Sequence, residues 1–138
     1  AIEGLIWRQP GRWDAAVPTD IPDSPSLTTS RSLPDGTVLL IGNQMAPEFD
    51  NADRVRHYGR DPLTVAVSRD GYRFEKVFAL RCGQQKWRTP PGEIHGRGGG
   101  AQYPSAVIHD GTLYVQHSMG KEDIWISSIP LSQLGLAL

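Results

Sequence analysis

Cysteine is almost missing from this chain: Cys82 stands alone among 138 residues. A single thiol excludes an intrachain disulfide framework and leaves the redox compartment open. Nothing around Cys82 marks it as reactive, so it is expected to be an ordinary half-buried thiol. A surplus of either charge is missing too. Fourteen Lys and Arg face fifteen Asp and Glu, a formal net charge of −1. That balance gives no electrostatic footprint for nucleic acid or an anionic membrane surface. No apolar run approaches the length of a membrane-spanning helix, so no membrane partner is expected. The four histidines, His57, His95, His109 and His117, show no metal-ligand spacing, and neither a metal nor another cofactor is expected. The run "GRGGG" (96–100) is not followed by a strand-to-helix transition, which argues against a phosphate loop and for a flexible segment. The opening "AIEGLIWRQP" has no initiator Met and no signal-peptide layout, and reads as though cut from a longer chain.

What is abundant is punctuation. Fifteen glycines and eleven prolines in a chain that is 38% hydrophobic favour many short strands joined by tight turns. Period-two alternation predicts strands near 3–8, 27–32, 37–42, 62–68, 75–80, 104–109, 112–118 and 123–129. The only helix candidate is a weak turn at "PLSQLGLAL". Two segments repeat one another: "LPDGTVLLIGN" (33–43) and "IHDGTLYVQHS" (108–118) each read as strand, Asp-Gly turn, strand. Each continues into a third strand, and the first also into a fourth, "KVFAL". Four antiparallel strands followed by the start of the same pattern is the layout of propeller blades. Asp-Gly is also the commonest hairpin signal, so the repeat alone leaves propeller and sandwich both open.

The turn "SRDGYRF" (68–74) separates the two. It resembles a shortened Asp box, the structural turn of sialidase-type propellers, with Phe74 where Trp is usual. A short carboxylate, Asp70, can accept turn N–H groups, Gly71 supplies the unusual dihedral, and Phe74 packs beneath. From Asp20 onward the chain resembles the closing part of a sialidase, or neuraminidase-like, β-propeller. Three stretches carry the resemblance: "DIPDSPSLTTSRSLPDGTVLLIGN" (20–43), "GRDPLTVAVSRDG" (59–71) and "AQYPSAVIHDGTLYVQHS" (101–118). The resemblance implies an all-β fold of antiparallel four-stranded blades of the six-bladed type, with only about two blades present. Blade one would span about 26–81, an incomplete blade two about 101–130, and a leading strand 3–8.

The resemblance also implies two site residues. Tyr103 would be the nucleophile and Arg60 the binder of the substrate carboxylate; Pro104 follows the tyrosine where the family usually has Ser. The chemistry suits them. A sialoside bears a carboxylate on its anomeric carbon, so a neutral phenol avoids the repulsion a carboxylate nucleophile would meet. Arginine's planar fork grips both oxygens of a carboxylate. A phenol with a pKa of roughly 10 needs help near neutrality, yet none of Glu48, Glu93 or Glu122 matches the family's partner glutamate. By strand direction, Tyr103 before a first strand and Arg60 before a third share one face with the loops 43–61 and 118–122. Read without the resemblance, Tyr103 is a rim packing residue and Arg60 a surface cation paired with Asp61. Of the four tryptophans, Trp125 is expected in the core, while Trp7, Trp13 and Trp87 are candidates for stacking on sugars. The partner expected is an acidic carbohydrate, along with further blades of the same propeller upstream. The function implied is the C-terminal part of an exo-α-sialidase-like hydrolase, inactive as a fragment. The alternative is a non-catalytic propeller module that binds glycans or proteins.

Overall fold

The computed structural model of the chain describes residues 3–4, 7–9, 12–13, 15–22, 26–44, 60–83, 85–90 and 100–136. In chain order its strands are β1 (Glu3–Gly4), β2 (Trp7–Gln9), β3 (Arg12–Trp13), β4 (Val17–Pro18), β5 (Thr29–Ser32), β6 (Val38–Gly42), β7 (Leu63–Ser68), β8 (Phe74–Arg81), β9 (Ala101–His109), β10 (Thr112–Met119) and β11 (Asp123–Pro130). Every pairing is antiparallel. Strands β5 to β8 form a four-stranded meander and β9 to β11 a three-stranded one, while β1 pairs with β4 and β2 with β3 in short ribbons. The fold is all-β, and the two larger sheets are consistent with one full and one partial propeller blade.

Where expectation and structure differ, the reasons are local. The strand expected over 3–8 is represented by β1 and β2, and β3 and β4 are too short to leave an alternating signal. Strand β9 begins three residues earlier than the alternation predicts, so Tyr103 lies inside it rather than before it. The weak helix candidate is a 3-10 turn, Leu131–Leu134, ended by Gly135 in the left-handed conformation. Cys82 is exposed, not half-buried, because it sits just past the end of β8.

The Asp-box logic holds atom by atom. One Asp70 oxygen accepts the N–H groups of Tyr72 and Arg73, each at 2.8 Å, and the Ser68 hydroxyl accepts Gly71 N–H at 2.8 Å. These N–H donors, Arg73 first and Tyr72 next, hold the Asp70 carboxyl below its ordinary range. Gly71 has φ +80°. Phe74 packs against Ile21, Leu40 and Ala66, and Asp20 accepts Phe74 N–H at 2.9 Å, fastening the incoming segment to the turn.

All six residues of β7 are buried, so this strand is covered on both faces. One face, with Leu39 and Ile41 of β6 beside Val65 and Val67, packs against Ala106, Leu113, Val115 and Met119 of the second sheet. Leu131 and Leu134 of the 3-10 turn close the same core. The first strands of the two sheets meet directly, where Arg31 Nε donates to Ala106 O at 2.6 Å. His117 is buried in this seam with Nε2 3.0 Å from Ser127 Oγ; burial and the nearby Arg81 charge lower its pKa. Arg81 lies 4.3 Å from the Trp125 ring centroid, so Trp125 belongs to the seam, as expected.

Ile41 is wholly buried in the middle of this contact. Ile41→Ala is expected to cost about 3 kcal/mol, read as a lower denaturation midpoint with an unchanged dependence on denaturant.

Candidate ligand site around Tyr103

The site starts from a break in register. Gln116 opposes Ser105 while Ser118 opposes Gln102, so β9 carries one residue more than β10 over this interval, at Tyr103–Pro104. A bulge of this kind re-aims a side chain. Tyr103 sits at φ +53°, uncommon for a bulky residue and further disfavoured before proline. Such backbone costs on the order of 1–3 kcal/mol and clusters at functional sites. The outcome is a tyrosine that is 44% exposed, flanked in sequence by buried Gln102 and Pro104.

Arg60 reaches the same place from the other sheet, and backbone contacts bring it there. Ala101 N–H donates to Arg60 O at 3.0 Å. Gly100 lies so close that a Cβ on it would be 2.3 Å from that oxygen, and its φ is +85°. Asn43 is fully buried, and its Nδ2 donates both to Pro62 O at 2.9 Å and to Ala101 O at 3.2 Å. One amide thus ties the segment before β7 to the start of β9. The Arg60 guanidinium donates to Gln102 Oε1 and lies 5.1 Å from the Tyr103 ring centroid. The structure therefore brings the two sequence-derived site residues together. Asp61 accepts Gly83 N–H at 2.8 Å.

A third residue joins them. Gly120 and Lys121 both take left-handed dihedrals in the β10–β11 turn, and Lys121 Nζ lies 5.8 Å from the Tyr103 ring centroid. Gly120 N–H donates to Gly100 O at 2.9 Å, locking this turn to the Gly100 junction. A hydrogen bond from Arg60, then the Arg60 charge, then that of Lys121, pull the Tyr103 phenol below its ordinary pKa.

Glu122, next in the chain, is engaged elsewhere. Its side chain is only 6% exposed, with Oε2 accepting Arg88 N–H at 2.9 Å and Oε1 accepting Thr89 N–H at 2.8 Å. These donors, Arg88 N–H first, hold its carboxyl at about 2. It is a clamp for the 85–90 segment, whose Trp87 packs over Gly120. Asp123 completes the clamp, accepting from Gln85 and Arg88 at 2.7 Å each. His109 is exposed beside Asp110, 3.2 Å away. Glu48, Glu93, His57, His95 and residues 45–59 lie outside the described residues, as do the side chains of Trp7 and Trp13. Among the described residues no group of three His, Cys, Asp or Glu is placed to hold a metal.

Two cations and one amide around an exposed phenol can hold an anion, and arginine supplies the paired donors a carboxylate prefers. Sequence reasoning found Arg60 and Tyr103 but gave Lys121, Gln102 and Asn43 no role. The "SMGKE" turn was legible as a neighbour on this face; nothing in it announces that Lys121 leans over the tyrosine.

Stacked antiparallel meanders, an Asp-box turn and a buried Asn bridging two sheets define a β-propeller segment. The sequence model of the BNR repeat-like domain matches residues 8–115, and the chain belongs to that family. No curated protein and no solved structure matches the chain.

Gly100→Ala would force a Cβ into a backbone carbonyl at a left-handed position, and is expected to cost more than about 1 kcal/mol and to separate Arg60 from Tyr103. A lower thermal midpoint, together with loss of the Tyr103–Arg60 proximity in an NMR or crystal structure, checks this. Glu122 has a folded pKa of about 2 against an ordinary 4.5, so the stability it contributes is present above 4.5 and is lost as pH falls from 4.5 towards 2. Glu122→Gln is expected to lower the neutral-pH melting temperature and to flatten its fall across that window.

Proposed function

We propose that the Tyr103 face recognises a carboxylate-bearing sugar as part of an exo-α-sialidase-like glycoside hydrolase. Arg60 would grip the substrate carboxylate and Tyr103 would be the nucleophile. The observation that carries this reading is the exposed phenol, held at a strained bulge with a guanidinium 5.1 Å from its ring. In the reaction, the Tyr103 phenol loses its proton to a base and its oxygen bonds to the anomeric carbon as the glycosidic C–O bond breaks and the leaving oxygen takes up a proton from the general acid. Water then cleaves the tyrosyl–sugar bond and restores the phenol, retaining the anomeric configuration. The family resemblance assigns the acid/base Asp, the paired Glu and two further arginines to other blades. The 138-residue chain alone is therefore expected to be inactive, and activity belongs to the protein that contains those blades.

A second reading, a non-catalytic module that binds acidic glycans, draws on a different observation. Among the described residues, both charged groups beside the Tyr103 ring are cations, and Glu122 is bound to the 88–89 backbone. One set of measurements separates the readings: turnover of a fluorogenic sialoside, and sialic acid affinity, for wild type, Tyr103→Phe and Arg60→Ala in the full-length protein. For the hydrolase, Tyr103→Phe abolishes turnover with little change in affinity. Arg60→Ala weakens affinity about 10- to 100-fold, as expected for loss of a charged hydrogen-bonding pair. Equal turnover by wild type and Tyr103→Phe removes the phenol from the mechanism. Sialic acid affinity without turnover in any form leaves the binding module.

A further inference from the structure

A phenol nucleophile is ordinarily activated by a base that takes its proton. The described residues around Tyr103 add two cations. Arg60 approaches from the segment before β7 and Lys121 from the β10–β11 turn, 5.1 and 5.8 Å from the ring centroid. Among the described residues, the carboxylates on the adjoining elements are turned to other work: Asp61 to Gly83 N–H, Glu122 to the Arg88 and Thr89 N–H groups, and Asp123 to Gln85 and Arg88. Gln102, buried beside the tyrosine, is neutral and accepts from Arg60.

The placement of Lys121 is constructed rather than incidental. An ordinary surface lysine occupies ordinary backbone, whereas Lys121 follows Gly120 in a turn where both residues have φ +60°. That turn is fixed from three sides. Gly120 N–H donates to Gly100 O, Glu122 N–H donates to Met119 O at 3.1 Å, and the Glu122 carboxylate is fastened to residues 88 and 89. Trp87 covers Gly120 from outside, with its ring edge 3.6 Å from where a Cβ would stand. The base of the Lys121 side chain is thereby held in one place above the ring.

We propose that Lys121 is a positioning residue of this site, which with Arg60 brackets Tyr103 between two positive charges that favour its phenolate. The phenol proton leaves to a base or to solvent when the phenolate forms, and the two cations stabilise the charge left behind. When the tyrosyl–sugar bond is later broken by water, the same cations favour the departing phenolate. A charge at this distance in an exposed setting has a modest effect, in keeping with a tuning role. The assignment of a reactive phenol rests on the acidic-sugar reading of the face, but the electrostatic claim stands apart from it and is measured separately.

In the full-length protein, phenolate absorbance is followed against pH for wild type, Tyr103→Phe, Lys121→Met and Lys121→Arg, and the Tyr103 component is the difference between wild type and Tyr103→Phe. The expected result is a component, absent from Tyr103→Phe, that titrates below the ordinary tyrosine range, moves upward in Lys121→Met and returns in Lys121→Arg. High salt should weaken the shift in wild type. A Tyr103 component that ignores Lys121→Met, with the fold intact by circular dichroism, overturns the proposal. If Lys121→Met does not fold, the salt titration of wild type decides, and an unmoved midpoint counts against bracketing by two charges. The pH profile of sialoside kcat/KM is the second readout. Its basic shift in Lys121→Met supports both claims. No turnover in wild type, combined with a shifted phenol, overturns the hydrolase reading and leaves Lys121 as a tuner of the tyrosine.

Discussion

The arrangement depends on the carbonyl oxygen of Arg60. It accepts Ala101 N–H, crowds Gly100 so closely that only glycine fits, and fixes the spacing at which the second sheet starts beside the first. Asn43 reinforces the junction by giving both amide hydrogens of one buried group to carbonyls of the two segments. Backbone carbonyls in such a place need donors, since an unpaired buried polar group costs about 1–3 kcal/mol. The solution that satisfies them also sets Arg60 within reach of Tyr103, so inter-sheet packing and the candidate site share one set of bonds.

This explains which parts were legible in the sequence. The strands β5 to β8, β10 and β11 announced themselves because their alternation reports burial directly, and the Asp-box turn because its hydrogen bonds lie within seven residues. The partnership of Arg60 with Tyr103 was legible through resemblance and through strand direction, which put both on one face; no local pattern links residues so far apart. The start of β9 was not legible, since a bulge breaks the alternation where Tyr103 is re-aimed. Lys121 and Asn43 stayed silent for another reason. Their roles arise from segments distant in the chain, and the composition of "SMGKE" or "IGN" does not encode what lies opposite.

Strain and electrostatics at the site act in concert. The left-handed Tyr103 lifts its ring from the sheet, and the left-handed Lys121 swings its stem over that ring. Neither conformation is favoured by the residue that adopts it. Each is held by neighbours bound elsewhere: Gln102 and Pro104 are buried on either side of the tyrosine, and Gly120 and Glu122 are fastened on either side of the lysine. Relaxing either residue would require breaking bonds in the sheet junction or the 85–90 clamp, which is why the exposed pair can remain ordered.

The internal repeat carries a further consequence for how the sheets stack. Aligned on their Asp-Gly turns, Leu39 corresponds to Tyr114, Leu40 to Val115 and Ile41 to Gln116. In the first sheet the Leu39–Ile41 face packs on the second sheet, while Leu40 turns to the opposite side with Ile21 and Ala66. In the second sheet the Val115 side meets the first sheet, leaving the side equivalent to Leu39 and Ile41 uncovered among the described residues. That side shows Val107 at 57% exposure, Ile124 at 74% and Ile126 at 71%. The contact is head to tail: one face of the unit matches the other face of the next, and a second unit reproduces the face the first has just buried. Such stacking propagates instead of terminating. An aliphatic face on β11 is thus the outcome of the same repeat that builds the core between the sheets, not an isolated feature of the surface.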